Sequence, residues 1–138
     1  MNALHPTEAQ IKAFLTHRKA DEPVYMLNLL KFRDVANYDD GRPATGREAY
    51  THYAKAFGNM LRDLNIDGVE TIYGGNANAV LIGDAEQGNW DAVAIVRYPD
   101  AKTMFETVSS EAYRAFHFHR SAGLEGQMLI ACDDEGLF

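Results

Sequence analysis

The nine residues from Val24 to Phe32, VYMLNLLKF, place the tightest limit on how this chain can fold. The run follows Pro23 and is too short for a typical helix, so it reads as a strand. On a pleat, Val24, Met26, Asn28, Leu30 and Phe32 share one face, and apolar side chains also occupy the other. A strand that is apolar on both sides needs cover on both sides.

The remaining segments say what can supply that cover. Residues 1–22 form an N-terminal helical segment: Thr7 and Gln10 have capping-box spacing, and Ile11, Phe14 and Leu15 fall on one face of a helix over Thr7 to Lys19. Asp34 to Gly46 is rich in Asp, Gly, Pro and Asn and reads as a loop. Thr45 and Glu48 repeat the capping box before a long helix, on which Ala49, Tyr53, Ala56, Phe57, Met60 and Leu64 recur at helical intervals. Val69 to Gly83 has strand composition, and Gly74 and Gly75 are expected to mark a bulge rather than a hairpin turn. Trp90 to Tyr98 alternates as a strand and stops at Pro99. Asp100 caps a helix to about Val108, and Ser109 or Ser110 caps another to about Arg120. Gln127 to Cys132 forms the last strand, and residues 133–138 are an acidic tail.

Without the N-terminal helix, the order is strand, helix, strand, strand, helix, strand. That is the ferredoxin-like βαββαβ plan of the α+β class, with two helices on one face of an antiparallel sheet. The other sheet face is left uncovered although its residues are apolar. The expected solution is one domain over residues 1–138 that pairs with itself as a homodimer, a dimeric α+β barrel.

Charge narrows the partners. Twenty acidic and thirteen basic residues give a net charge of -7, which repels polyanions and argues against nucleic acid. No segment has the roughly 18 consecutive apolar residues of a membrane span, and the N-terminal stretch lacks the apolar core of a signal peptide. The lone Cys132 has no internal partner for a disulfide. A cytoplasmic protein that does not engage membranes is the expectation.

The stretches MLNLLKF (Met26 to Phe32), GREAYTHYAKAFG (Gly46 to Gly58), VRYPD (Val96 to Asp100) and SSEAYRAFHFHRSAGL (Ser109 to Leu124) together carry a resemblance. From about Val24 to Cys132 the chain resembles a bacterial family known as domain of unknown function thirteen-thirty, within the dimeric α+β barrel superfamily. The resemblance implies a homodimer with facing sheets and a cavity in each subunit between sheet and helices. It implies no particular reaction. The wider superfamily includes cofactor-independent monooxygenases, muconolactone-type isomerases and heme-degrading monooxygenases. Asn28 and His117 are similar in placement to the asparagine and histidine of the heme-degrading enzymes. The tryptophan those enzymes carry falls near Thr107 here, a departure that argues against heme chemistry.

Tyr113, His117 and Arg120 stand at i, i+4 and i+7, which sets a phenol, an imidazole and a guanidinium on one helical face. The imidazole can exchange protons near neutral pH, the phenol can donate to a developing oxyanion, and the guanidinium can hold a carboxylate. With Asn28, whose amide interrupts an apolar strand face, they would suit a small carboxylated or enolisable molecule. The other reading of the same residues is a solvated helix end with cations at the C-terminal dipole. Lys31, Arg97 and Tyr98 lie near strand ends, where they would add polar groups at a cavity mouth. His117 and His119 point about 200° apart on a helix and do not form a metal pair. His5, His17 and His52 are dispersed, and no phosphate-binding glycine loop follows a strand, so neither metal nor other cofactor is expected. Cys132 reads as a small buried hydrophobe.

These residues lead to a small-molecule enzyme with catalytic His117, Tyr113 and Asn28 and substrate held by Arg120, Arg97, Tyr98 and Lys31, and the superfamily resemblance implies that it is monooxygenase-like or isomerase-like without a cofactor. The alternative is a non-catalytic homodimer that binds or senses a small organic ligand, and the third is a purely structural module.

Overall fold

The apolar run is β1 (Val24–Phe32), an inner strand of a four-stranded antiparallel sheet in a computed structural model that describes residues 3–136. The sheet order is β2 (Glu70–Asn76), β3 (Ala92–Tyr98), β1, β4 (Leu124–Cys132). The helices are α1 (Glu8–Thr16), α2 (Gly46–Asp63), α3 (Ala101–Ser109) and α4 (Glu111–Gly123). This is the expected α+β, ferredoxin-like arrangement with an added N-terminal helix.

Local chemistry sets the helix starts. Thr7 and Gln10 form the expected capping box at α1, and Thr45 and Glu48 form the other at α2, with both reciprocal bonds present in each. Asp100 accepts from the Thr103 amide at 2.6 Å, and Ser110 accepts from that of Tyr113 at 3.1 Å. Ser110, not Ser109, is the cap of α4. That helix runs past Arg120 to Gly123 and passes directly into β4, which begins three residues before the expected Gln127.

On β1, Val24, Met26, Asn28 and Leu30 are all buried toward the helices. Val24 and Met26 pack with Tyr98 and Met104, and Phe14, Phe57 and Phe105 close round them, so α1, α2 and α3 all reach one core. A second cluster of Ala36, Tyr38, Ala49 and Ala122 lies where the loop after β1 meets α2 and α4. There the two helices approach at Gly46 and Gly123: a methyl on either glycine would lie 2.6 Å from the carbonyl oxygen of the other.

Two segments depart from the sequence reading. The strand expected over Val69 to Gly83 ends at Asn76, opposite Ala92, the first residue of β3, so the chain beyond has no partner ladder. Leu81 and Ile82 consequently stand 94% and 92% exposed in a loop. The register shift lies between Thr71 and Tyr73, and Gly74 and Gly75 pair regularly with Ala94 and Val93. The Tyr73 ring lies over Gly75, where a methyl would come within 2.9 Å of Cζ, so that glycine makes room for the ring rather than a bulge. Cys132 is exposed, not buried, because it lies beside Tyr25 at the end of an edge strand, on the face away from the helices.

That face carries Tyr25, Leu27 and Leu29 from β1, Val93 and Ile95 from β3, and Met128 and Ile130 from β4 in register. No helix of the described residues covers it. Tyr25, Leu27, Ile95 and Cys132 line a shallow groove of about 370 Å³ there.

Candidate functional site

Asn28 lies at the centre of the helix-facing side of the sheet, where an unpaired amide would cost about 1 to 3 kcal/mol. Its Nδ2 donates to the carbonyls of Met26 (3.1 Å) and Ala94 (3.3 Å), and its Oδ1 accepts from Gln127 Nε2 at 2.9 Å. The protein itself satisfies this side chain. Gln127 passes the chain of bonds on, because its Oε1 accepts from Arg120 Nη2.

Arg120 joins strand to helix. Its Nη2 also donates to the Leu4 carbonyl at 3.0 Å, and Nη1 lies 3.5 Å from His117 Nε2. A guanidinium can only donate, so a bond across this gap requires the His117 tautomer with its lone pair on Nε2. The N-terminal segment crosses this point: the Gln127 amide donates to the Ala3 carbonyl at 3.1 Å, and the rings of His5 and His117 are 6.2 Å apart. Among the described residues Arg120 makes no ion pair.

Phenols line the inner side of the helices. Tyr113 is buried, and its hydroxyl lies 2.9 Å from that of Tyr53. Phe57 and Phe116 pack edge-on against Tyr113, whose ring is 5.4 Å from that of His117. Burial drives the acidities of Tyr53, Tyr50 and His117. It raises the Tyr53 phenol well above its usual value and pushes Tyr50 up to about 12, so both are neutral donors. Burial lowers the His117 pKa, helped by the charges of Arg120 and His5, which favours neutral imidazole near pH 7. A neutral base, neutral phenols and a cation without a carboxylate partner can together accept a proton and stabilise an anion.

Asn28 and Arg120 are thus joined through Gln127, His117 lies next to Arg120, and Tyr113 packs its ring against His117 while its hydroxyl bonds to Tyr53. Lys31, Arg97 and Tyr98 do not join them. Lys31 pairs with Asp91 at 3.3 Å, and Asp91 also accepts from the Phe32 amide at 2.8 Å. Arg97 lies beside Tyr25 on the opposite sheet face, its Nη1 3.5 Å from the Gly68 carbonyl. Tyr98 is a core residue at 7% exposure, with burial raising its pKa. Thr107 is buried on α3 and bonds to the Thr103 carbonyl. Sequence reasoning missed Gln127, Tyr50 and the N-terminal residues at Arg120. Gln127 had a signal, as a second amide facing the same apolar interior; the crossing of Leu4 and His5 had none.

No protein-family model and no curated protein matches the chain. Solved structures do. The methylated RPA0582 protein is 31% identical over 99% of this chain and 98% of its own, with a TM-score of 0.85. Another structure of RPA0582, described as a protein of unknown function from Rhodopseudomonas palustris, is 29% identical over 99% of both chains, with a TM-score of 0.84. A dimeric protein of unknown function and ferredoxin-like fold from Bacteroides fragilis is 10% identical over 80% of this chain and 95% of its own, with a TM-score of 0.52, and shares the fold alone.

Proposed function

This chain belongs to the family of the RPA0582 protein of Rhodopseudomonas palustris, an uncharacterised family of ferredoxin-like fold, and from that premise we propose that it is a homodimeric small-molecule enzyme acting on an organic anion. One observation carries the reading: Arg120, without an acidic partner among the described residues, lies 3.5 Å from His117, whose pKa is lowered, beside the hydroxyl pair Tyr53 and Tyr113.

In this reading Arg120 turns Nη1 from His117 onto a carboxylate or enolate oxygen of the bound molecule, the Nε2 lone pair this frees on neutral His117 takes the proton, and Tyr113 donates toward the charge that develops. Asn28 and Gln127 are positioning residues that hold the guanidinium. The reaction class is proton transfer on an enolisable acid, closer to an isomerase than to an oxygenase. The motifs quoted above support placing the family with domain of unknown function thirteen-thirty, as one domain over residues 1–138. The net charge of -7 and the absence, among the described residues, of a helix long and apolar enough to cross a membrane fit a cytoplasmic setting without nucleic acid. The dimeric description of the Bacteroides fragilis protein supports pairing, and the apolar sheet face that no helix covers among the described residues is the surface such pairing would bury.

The test is a panel of small aromatic and enolisable carboxylates followed by NMR shifts of the His117 ring, with exchange of the acidic C–H for deuterium as the readout of turnover. Binding that is lost in Arg120→Gln and exchange that is lost in a folded His117→Ala protein are expected. Binding without exchange, and equal affinity from pH 5 to 8, would replace the enzyme with the binding or sensing dimer. That second reading is favoured by the complete internal bonding of Asn28, which leaves it no need of a substrate.

A further inference from the structure

The opposite side of α4 carries another group of side chains that the proposed reaction does not use. His119 projects from α4 toward His52 on α2, with ring centres 5.6 Å apart and planes inclined at 41°. Tyr38, 7% exposed in the second apolar cluster, places its hydroxyl 2.6 Å from His119 Nδ1. His52 is exposed and His119 is half-buried, so the space between them opens to solvent. Phe118 and the Tyr38 ring flank His119.

The spacing has chemical meaning. A divalent metal sits about 2.0 to 2.1 Å from an imidazole nitrogen, so two rings sharing one tetrahedral ion have centres about 5 Å apart. The 5.6 Å observed between ring centres is close to that spacing. The tyrosine supplies what a histidine ligand usually has: a partner on its other nitrogen that fixes ring orientation and tautomer. When Nδ1–H donates to the Tyr38 oxygen, Nε2 carries the free lone pair. Packing holds both helices at this point through Ala49 and Ala122, so the two rings project from a rigid pair of elements.

We propose that His52 and His119, with Tyr38 orienting the latter, form a surface site for a divalent transition cation of the zinc, copper or nickel class. Imidazole is the donor those ions prefer over magnesium or calcium. No group of three or more His, Cys, Asp or Glu ligands forms among the described residues, so water completes the coordination shell. A positive charge stands beside the site on Arg42, whose guanidinium stacks 4.7 Å over the Tyr38 ring. Asp40 accepts from it through both oxygens, which sets a negative charge against the guanidinium. Burial first, then the charges of His52 and Arg42, lowers the His119 pKa, and the neutral imidazole this favours is the form that binds metal. The other close histidine pair, His5 and His117, is unsuited to a cation because the Arg120 guanidinium faces His117 Nε2.

The experiment is a titration of the full chain, without a polyhistidine tag, with cobalt(II) followed by its visible absorption, and with copper(II) followed by the nitrogen hyperfine pattern in electron paramagnetic resonance. One ion per protomer with two equivalent-type nitrogen ligands is expected. His52→Ala and His119→Ala should each weaken binding by at least about tenfold, and Tyr38→Phe by about 10- to 100-fold, as for other groups that orient a ligand. Far-UV circular dichroism on each variant confirms folding; His52 is exposed, so its variant keeps the test decisive should Tyr38→Phe fail to fold. A double variant His5→Ala, His117→Ala should bind as before. Absence of binding, or binding that survives His52→Ala and His119→Ala but is lost in that double variant, overturns the proposal.

Discussion

Gln127 Nε2 donates to Asn28 Oδ1 across 2.9 Å, linking neighbouring strands through residues 99 apart in the sequence. The bond fixes the carbonyl of Gln127 toward Arg120 and so sets where the guanidinium stands. Removing either amide leaves its partner buried without a bond, so Asn28→Ala and Gln127→Leu should each cost about 1 to 3 kcal/mol in urea unfolding. The two changes together should cost less than their sum, with a coupling of about 0.5 to 3 kcal/mol. Strict additivity would show that the pair does not act as a unit.

Gly123 should tolerate no side chain. A methyl there would lie 2.6 Å from the Gly46 carbonyl and 3.0 Å from the Tyr50 amide, both of them backbone atoms that cannot swing away. Gly123→Ala should lower stability by about 3 kcal/mol, at the upper end of overpacking effects. A melting temperature equal to that of the unaltered protein would mean that the helices are not held this close in solution.

The pH dependence follows from the two depressed histidines. His117 and His119 both have pKa values lowered chiefly by burial, so the folded chain takes up these protons at lower pH than the unfolded chain does. Their stabilising effect is complete above the unfolded value of about 6.5 and is lost as pH falls through the folded values. The urea midpoint should therefore fall between about pH 7.5 and 5, and His117→Gln should flatten part of that slope. NMR titration should place both ring midpoints below those of free histidine.

Leu27 and Ile95 are opposed across β1 and β3 on the face that no helix covers. Leu27→Asp puts a charge at the centre of that surface without touching the side that packs against the helices. Light scattering should report a dimer for the unaltered chain and a monomer for this variant. A dimer that survives the substitution would move the contact to another surface.

The sequence by itself determined the elements and their order. The two capping boxes at Thr7 and Thr45, the alternation of Val24, Met26, Asn28 and Leu30, and the stop at Pro99 act between residues a few positions apart, and such signals are complete within the segment that carries them. The face shared by Tyr113, His117 and Arg120 was legible for the same reason, since helical spacing alone brings them together. Only the tertiary structure decided what those side chains meet. It ended β2 where β3 ran out of residues to pair, exposed Cys132 at a sheet edge, buried Tyr98 in the core and tied Lys31 to Asp91. It also brought Gln127 to Asn28, Leu4 to Arg120 and Tyr38 to His119. These contacts join residues on different elements, and their chemistry is fixed by how sheet and helices pack, which no local periodicity encodes.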